Sequence, residues 1–384
     1  EPFQIGLWVG RNTTPNDFLD SRNALRLLSE RRNLKEGSPV QILSCPWCGE
    51  QLSDIKGRPL SGSYSIDDNR ARTIISCLNP DCEFCRRRSE IGIPAVVVDD
   101  EIYRVCPSII IGTVDKFARL PFKGEIKSMF GRRNRYSPTL GHLSDADTKI
   151  RGRVVRDAEP ANPLLPPELI IQDELHLISG PLGSIVGLYE SAIDILTRIN
   201  GIPAKIIAST ATIRRAKHQV RRLYNSDLSI FPQSGINSTD SFFAKQRVIN
   251  EEDDNSSGRM FLGINAPGSS TKTLLVRVYS VLLASAQAEI EENSDVADPY
   301  GTLVGYFNSL KALGGAKRLV EDDIKNVRLR YLYNQRGFPR KNITEPDELT
   351  SRLKSWEIPA LLRKLNQKFP RGDSFWPSDV LLAT

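Results

Sequence analysis

Two adjacent carboxylates follow a short apolar segment near the middle of the chain. Residues 170 to 176 read IIQDELH, so Asp173 and Glu174 stand directly after the apolar run. A buried parallel strand is a continuous apolar run, and open α/β sheets hold ligands at the carboxyl ends of such strands. In phosphoryl transfer one carboxylate holds Mg²⁺ and a neighbour orients the attacking water. The pattern favours a magnesium nucleotide site, although acidic residues also suit the first turn of a helix.

A second strand with a polar end is predicted downstream of these carboxylates. Residues 204 to 212 read AKIIASTAT, in which Ser209, Thr210 and Thr212 end the apolar run. Between the two strands, apolar residues recur at helical spacing, and Gly201 with Pro203 ends that pattern. These residues are Ile185, Leu188, Ala192, Ile195, Leu196 and Ile199. A strand, crossover helix and strand place the two polar ends side by side. A simple strand-end turn is the alternative for the hydroxyl cluster.

A third apolar strand is predicted upstream, where residues 107 to 116 read PSIIIGTVDK. Thr113 follows this strand, and Lys116 and Arg119 belong to the helix-compatible segment after it. A hydroxyl, a backbone N–H and basic side chains at such a position suit contacts with a nucleic-acid phosphate. A solvated helix start explains the same residues equally well.

Six cysteines indicate a metal site. Cys45 and Cys48 form a C-x₂-C knuckle, and a second pair comes from Cys77, Cys82 and Cys85. Four thiolates hold Zn²⁺ tetrahedrally, and such a site is structural because it leaves no open coordination position. Spacing allows either Cys77 with Cys82 or Cys82 with Cys85 as the second pair. The polar segment 37–92 would need such a metal to adopt a single folded structure. Cys106 is expected to be an ordinary buried residue.

Three longer stretches carry a resemblance to a known family. They are CPWCGEQL at 45–52, VVVDDEIYRVCPSIIIGTVDKFARLPF at 96–122 and IIQDELHLISGPLGS at 170–184. The chain resembles the helicases of the DISARM anti-phage system, which belong to superfamily 2 and carry D-E-x-H as motif II and S-T-A-T as motif III. The resemblance implies an ATP-dependent DNA helicase or translocase in bacterial or archaeal defence. It implies ATP, Mg²⁺ and Zn²⁺ as cofactors, single- or double-stranded DNA and other defence subunits as partners, and a cytoplasmic location.

The resemblance also implies individual residue roles. Asp173 would position Mg²⁺, Glu174 the attacking water, and His176 would couple nucleotide state to motif III. The expected nucleotide-site residues are Asp173, Glu174, His176, Ser209, Thr210 and Thr212. The expected nucleic-acid contacts are Thr113, Lys116, Arg119 and Thr384, the last in a strand that resembles the opening of motif V. The favoured zinc ligands are Cys45, Cys48, Cys77 and Cys82.

Two parts of a complete motor are missing from the sequence. No G-x-x-x-x-G-K-[ST] loop is present, and the nearest approach, GINAPGSSTKT at 263–273, lacks the lysine and follows motif III instead of preceding motif II. The phosphate loop is therefore expected upstream of Glu1, and the arginine finger beyond Thr384. We expect this chain to be the inactive middle part of a longer enzyme.

Composition agrees with an ordinary soluble α/β protein. The chain has 384 residues, is 40% hydrophobic, and carries a net charge of +6 from 52 basic and 46 acidic residues. No membrane span is expected, because no apolar run approaches about twenty residues. With so small a net charge, attraction to nucleic acid must come from local basic patches. One patch lies in an expected loop at about 131–160, and the other spans Lys325 to Lys341.

The predicted fold is α/β, with two incomplete RecA-like lobes. The first lobe covers 1–249 with the zinc insertion at about 37–92, the linker covers 250–260, and the second lobe covers 261–384. In the second basic patch, arginines alternate with Tyr331, Tyr333 and Phe338, which suits nucleic-acid contacts or the core of a strand. Two other functions remain open. They are a zinc-bearing nucleic-acid-binding scaffold with a vestigial NTPase site, and an RNA helicase.

Overall fold

The computed structural model divides the chain into two compact units. One unit comprises Glu1–Asp54 and Arg58–Arg247, and the other comprises Ile55–Gly57 and Val248–Thr384. The structure describes residues 3–144, 147, 149–150, 153–210, 216–233, 235–237, 239–240, 242–246, 260–339, 341–354, 357–369 and 377–384. Thr212, and the predicted linker 250–260 apart from Met260, lie outside these residues.

The first unit alternates short strands with helices. Its strands are β1 (Ile5–Trp8), β2 (Tyr64–Asp67), β3 (Arg72–Ile75), β4 (Ala95–Val96), β5 (Ile109–Gly112), β6 (Arg135–Ser137), β7 (Gly141–Leu143), β8 (Lys149–Ile150), β9 (Arg153–Val154), β10 (Glu159–Pro160), β11 (Leu169–Gln172) and β12 (Lys205–Ala208). Its α-helices are α1 (Phe18–Ser29), α2 (Asp99–Val105), α3 (Val114–Phe117), α4 (Gly180–Thr197) and α5 (Ala216–Tyr224), and 3₁₀ helices cover Gly124–Phe130 and Leu175–Leu177.

One sheet of this unit is parallel and has the strand order β4-β1-β5. Ile5 on the middle strand lies opposite Ala95 on one side and Ile109 on the other. Trp8 ends the middle strand, is fully buried, and donates from its indole Nε1 to the Tyr103 hydroxyl at 2.8 Å. Since Tyr103 belongs to α2, this bond helps to fix the helix against the sheet and satisfies a buried N–H.

Strands β11 and β12 form a second parallel pair, with α4 as the connection between them. Leu169 lies opposite Lys205, and Gln172 lies opposite Ala208. The predicted strand, helix and strand are therefore present at this place. Their parallel register brings the carboxyl ends of both strands to the same edge.

Helix α4 was predicted from apolar periodicity, but a different stripe faces the core. Val186 and Ile193 are buried, whereas Leu188 and Ile195 of the predicted stripe are 75% and 67% exposed. Because this helix carries apolar residues on most of its circumference, the spacing alone identifies a helix without identifying its buried face.

The cysteine-rich segment folds around a two-stranded hairpin. Strands β2 and β3 pair in antiparallel orientation, with Tyr64 opposite Ile75. Val40, Leu52 and Ile75 are almost completely buried and belong to the same apolar cluster as Cys45, Cys77 and Cys82. This module therefore has a small core of its own, built partly from the thiols.

The basic segment 131–160 was expected to be a loop, and the structure corrects this expectation. Strands β10, β6 and β7 form an antiparallel sheet, and β8 pairs with β9. Arg133 is buried, pairs with the Asp147 carboxylate, and donates to the Tyr103 carbonyl at 3.4 Å. The strands are only two or three residues long, which is too short to show a period in the sequence.

The second unit is also α/β. Its strands are β13 (Leu303–Tyr306), β14 (Asp347–Leu349) and β15 (Val380–Ala383), and its α-helices are α6 (Thr271–Glu292), α7 (Ser294–Ala297), α8 (Leu310–Leu319), α9 (Leu329–Arg336) and α10 (Glu357–Leu365). A 3₁₀ helix covers Asp298–Tyr300 and a π-helix covers Val320–Arg328. The sheet order is β13-β15-β14, and both pairings are parallel. The chain is thus mixed α/β with several small parallel sheets, and the RecA-like character of its lobes stays a prediction.

One helix among the described residues is long and apolar enough to cross a membrane by length and composition, which departs from the sequence expectation. This helix is α6. Leu283 and Ala284 on it are buried in the apolar core that also contains Leu313 and Leu382. Helix α6 therefore packs part of its surface against the core of its own unit.

Candidate nucleotide and metal sites

The edge where β11 and β12 end carries the acidic and hydroxyl residues singled out in the sequence. The Ser209 N–H donates to the Gln172 carbonyl at 2.9 Å, and the Leu175 N–H donates to the Ser209 carbonyl at 3.0 Å. These bonds extend the parallel pairing past the last residue of each strand. Asp173 therefore stands beside Ser209 at the strand ends, a position that open α/β sheets use for ligands.

Asp173 is held by two donors. The Ser209 hydroxyl donates to its Oδ1 atom in a short hydrogen bond, and the Glu174 backbone N–H donates to the same oxygen at 2.9 Å. The Ser209 bond is the larger cause, and the Glu174 bond a smaller one, of a pKa below the ordinary aspartate value. The carboxylate is exposed and ionised, which is the form that binds a divalent cation.

Glu174 has an unusual backbone conformation. Its φ is 51° and its ψ is 46°, in the left-handed region that non-glycine residues rarely adopt. The side chain is 55% exposed, so the carboxylate extends into solvent beside Asp173 and not into the core. Strained residues of this kind cluster at functional sites. The two neighbouring carboxylates have different side-chain partners, Ser209 for Asp173 and His176 for Glu174.

His176 contacts both halves of the site. Its Nδ1 atom lies 3.2 Å from the Thr210 hydroxyl and 3.2 Å from a carboxylate oxygen of Glu174. The imidazole thus connects the acidic turn to the hydroxyl cluster after β12. Thr212, the remaining member of that cluster, lies outside the described residues.

Gln219 is a supporting residue that the sequence analysis missed. It lies on α5, and its Nε2 atom donates to the carbonyls of Leu175 and Ile178 at 2.9 and 2.8 Å. Leu175 is 4% exposed and belongs to a core cluster with Val220 of the same helix. The turn that presents the carboxylates is therefore fixed from behind. No local spacing indicated this role, because the contact joins residues more than forty positions apart.

Thr113 and Arg119 are exposed near the carboxyl end of β5, as contacts with a nucleic acid would require. Lys116 is different. Its ammonium lies 2.5 Å from the Asp99 carboxylate, and the two side chains are 3% and 1% exposed. The structure corrects the expectation for Lys116, whose charge is used inside the fold instead of at the surface. Thr384 is exposed at the end of β15 in the second unit.

Four cysteines of the hairpin module come together. The sulfur atoms of Cys45, Cys48, Cys77 and Cys82 all lie within 4.8 Å of one another. Two of the separations are 3.8 Å, between Cys45 and Cys82, and 3.4 Å, between Cys48 and Cys77. A tetrahedron with a Zn–S distance of about 2.3 Å has edges of about 3.8 Å. This cluster could bind a metal ion such as zinc.

The protonation tendencies of these thiols differ with their surroundings. Burial raises the pKa of Cys77 and of Cys82. A hydrogen bond from the Glu50 backbone, together with neighbouring thiols, lowers the pKa of Cys48 to about 7. A cation in the centre would stabilise all four thiolates, since metal binding replaces the thiol protons.

Cys85, the alternative ligand, is not part of the cluster. It is buried, and its sulfur donates to the Pro80 carbonyl at 3.4 Å. Cys106 is half-buried, with its sulfur near the carbonyls of Tyr103 and Ser128. The pair of Cys77 with Cys82 is therefore the one that joins the first knuckle.

No protein-family model matches the chain. A curated protein, the DISARM protein DrmA of Bacillus paralicheniformis, is 38% identical over 397 aligned residues that include all of the chain. The alignment covers 34% of that protein, so the chain spans about a third of the length of this relative. The resemblance to a DISARM protein is therefore confirmed along the entire chain, which is DrmA-like in sequence.

Proposed function

We propose that this chain is the nucleotide-hydrolysing core of an ATP-dependent DNA translocase that acts in anti-phage defence. The observation that carries the proposal is the meeting of Asp173, Glu174, His176, Ser209 and Thr210 at one edge of a parallel strand pair. Two carboxylates, a histidine and hydroxyls at such an edge are the groups that ATP hydrolysis needs near its metal. The similarity to a DISARM protein supports the defence role.

The residues present fit the metal side of a nucleotide site. Mg²⁺ binds proteins through one or two carboxylates and completes its shell with water and phosphate oxygens. When bound with ATP it would bridge the phosphates and neutralise the charge that develops during transfer. Asp173 is the residue that would hold it, because its ionised carboxylate is fixed by Ser209 and by the Glu174 N–H.

Glu174 is the group that would act on water. Its exposed carboxylate can accept a hydrogen bond from a water molecule, orient it and take its proton as it attacks. Its carboxylate contacts His176, whereas the carboxylate of Asp173 contacts Ser209. The two acidic groups can therefore serve metal and water at the same time.

His176 provides a route from the nucleotide to the hydroxyl strand. Its Nδ1 atom contacts both the Glu174 carboxylate and the Thr210 hydroxyl, so a change at that carboxylate alters the bond to Thr210. Coupling between two sites requires contacts that connect them and that can change with the state of one site. Thr113 and Arg119, both exposed, are the groups in this unit that we assign to the nucleic-acid backbone.

Other defence-system subunits are proposed partners, because the relative is a DISARM protein and the chain matches about a third of it. The cysteine cluster is proposed to hold a structural Zn²⁺ that folds the hairpin module. A scaffold with a vestigial nucleotide site is a second candidate function. The cysteine cluster is the observation that favours it, because a structural metal can fold a binding module without any nucleotide.

Streptavidin displacement tests the motor directly. The full-length protein is incubated with biotinylated single-stranded DNA or RNA carrying streptavidin, with ATP or with a non-hydrolysable analogue. Displacement from DNA that requires ATP and is lost in Glu174→Gln is the expected result. Displacement from RNA alone would indicate an RNA helicase. Tight binding to either strand without displacement and without ATP turnover would indicate the scaffold.

A further inference from the structure

The helical segment 325–336 in the second unit has an unusual charge distribution. Residues 325 to 344 contain no acidic residue, although the whole chain has 46 acidic against 52 basic residues. The basic residues in this interval are Lys325, Arg328, Arg330, Arg336, Arg340 and Lys341. So long an interval of one sign, on a chain that is otherwise nearly balanced, is a local attraction for a polyanion.

One face of the segment is anchored in the core. Ile324, Leu329 and Leu332 are buried in the cluster that packs between the helices and the sheet of this unit. The opposite face is therefore turned outward and fixed in place. A binding surface on a rigid helix is better organised than the same residues on a loop.

Basic side chains are exposed along the segment, with Arg330 opposite the buried leucines and Lys325 and Arg336 towards its two ends. Lys325, Arg330 and Arg336 are exposed, and none of them forms an ion pair with an acidic residue in the part of the chain that the structure describes. Lys341 shows the contrast, because it is 2% exposed and its ammonium lies 3.1 Å from the Asp379 carboxylate. Lys341, which is used for internal structure, thus differs in burial and pairing from the three exposed basic residues.

Two tyrosines are interleaved with these charges. Tyr331 and Tyr333 are 39% and 48% exposed. The Arg328 guanidinium lies 4.9 Å from the centre of the Tyr331 ring, which is a cation–π arrangement. Basic side chains that follow a phosphate backbone, together with aromatic rings on which bases stack, are the combination that binds single strands.

The segment also begins in an irregular helix. Residues Val320–Arg328 form a π-helix, and the Asn326 side chain donates to the Glu321 carbonyl at 2.9 Å within it. π-helical turns are rare and occur frequently at functional sites. The regular helix resumes at Leu329, and the exposed tyrosines and arginines follow within it.

We propose that the exposed side chains of residues 325–336 bind single-stranded nucleic acid. Lys325, Arg330 and Arg336 contact phosphates, and Tyr331 and Tyr333 stack against bases. This proposal rests on the proposed function in one respect, since a translocase must bind a strand. It adds a contact region that none of the helicase-like motifs contains. Over the eleven steps from 325 to 336 a helix rises about 17 Å, enough for several phosphates of one strand.

Oligonucleotide binding without ATP tests this proposal separately from catalysis. Fluorescence anisotropy is measured with the full-length protein and labelled dT or rU strands. Strands of about twenty nucleotides are used because binding sites for single strands cover about 4–16 nucleotides. The test variant is Arg330→Gln/Arg336→Gln. The control is Lys311→Gln/Arg318→Gln, which removes the same charge from exposed positions on α8. Helix α8 precedes the π-helix and α9 without a break in the chain.

We expect the test variant to bind the strand about tenfold more weakly. The slope of log affinity against log salt should fall by about 1.4, as expected for two lost phosphate contacts on a single strand. The control should stay within about twofold of the wild type, because it lacks those contacts. Tyr331→Leu/Tyr333→Leu should weaken binding by about fivefold or more while leaving the salt slope unchanged.

Equal weakening in both charge variants would overturn the proposal, because it would show a general charge effect and no defined surface. Unchanged binding in the test variant would overturn it as well, including the case in which the face instead binds an acidic protein. Comparison of dT with rU decides which single strand the surface prefers. ATP turnover is not read in this assay, so a failed motor and a failed surface give different results.

Discussion

The Ser209 hydroxyl donates to the Asp173 carboxylate across the ends of two neighbouring parallel strands. The two residues are 36 positions apart in the sequence, and the crossover helix between them brings them together. The bond lowers the pKa of the carboxylate and holds it beside the end of β12. A single hydroxyl after β12 thus fixes the carboxylate of Asp173, the residue that we assign to Mg²⁺.

Removal of this hydroxyl should change the titration of Asp173. The pKa of Asp173 lies below the ordinary value mainly because Ser209 donates to it, so Ser209→Ala should raise the pKa toward that value. Carbon-detected NMR of labelled aspartate carboxyls measures the shift. Thr210→Val is the control, since Thr210 contacts His176 and not Asp173. An unchanged Asp173 pKa in Ser209→Ala would contradict the role given to this bond.

Metal content tests the cysteine cluster. Cys77→Ser should lose the bound metal, because it removes one of four sulfur ligands, whereas Cys85→Ser should keep it. We expect one Zn²⁺ per chain in the wild type, measured by elemental analysis, and early unfolding of the hairpin module after chelation. Loss of metal from Cys85→Ser with retention in Cys77→Ser would reverse the assignment of the second pair.

The buried pair of Lys116 and Asp99 should matter for stability more than for DNA. Lys116→Met leaves the Asp99 carboxylate buried without its partner, which costs about 3–5 kcal/mol in other proteins. Denaturant unfolding measures this loss. Arg119→Ala, at an exposed position, should change stability by less than about 0.5 kcal/mol. A stable Lys116→Met protein that binds DNA poorly would restore the surface role for this residue.

Glu190 on the crossover helix should make stability depend on pH. Burial raises its pKa to about 7 from an ordinary value of 4.5. Because the raised pKa means that the folded protein holds this proton more tightly than the unfolded chain, the contribution of Glu190 to stability is complete below about pH 4.5. This contribution is lost as the pH rises through about 7. Glu190→Gln should therefore be more stable than the wild type above pH 7, by roughly 1 to 3 kcal/mol, and similar at about pH 4.5.

Thermal unfolding at about pH 5 and about pH 8 checks this expectation. Asp194→Asn lies one turn further along the same helix, where the native carboxylate is exposed and pairs with Arg198 at 2.7 Å. This control should show no gain in stability at the higher pH. An equal difference between wild type and Glu190→Gln at both pH values would show that the carboxyl is not desolvated.

The strand, helix and strand that carry the acidic edge were predictable from the sequence. Two apolar runs of strand length, each ending in polar residues, flank a periodic segment of helix length. The fold contains a strand, a helix and a strand at these positions. The buried face of the helix was not predictable. Val186 and Leu188 are equally apolar, and only tertiary packing decides that the first is buried and the second is exposed.

Residue roles that depend on distant partners were also beyond local patterns. Lys116 follows a strand in a position that suits phosphate contacts, but folding brings the Asp99 carboxylate onto it. Spacing could not separate Cys77 from Cys85 as a ligand, since both complete a ligand-like pair with Cys82. The structure separates them because the Cys85 sulfur is turned toward the Pro80 carbonyl.

ATP turnover by the full-length protein tests the central claim most directly. Glu174→Gln should lower kcat by about a hundredfold or more, the contribution typical of a general base, while ATP binding persists. Glu168→Gln makes the same chemical change at the opposite end of β11, where the side chain is exposed, and should retain wild-type turnover. Turnover that survives in Glu174→Gln, or that falls equally in both variants, would contradict the assignment of this edge as the site of hydrolysis.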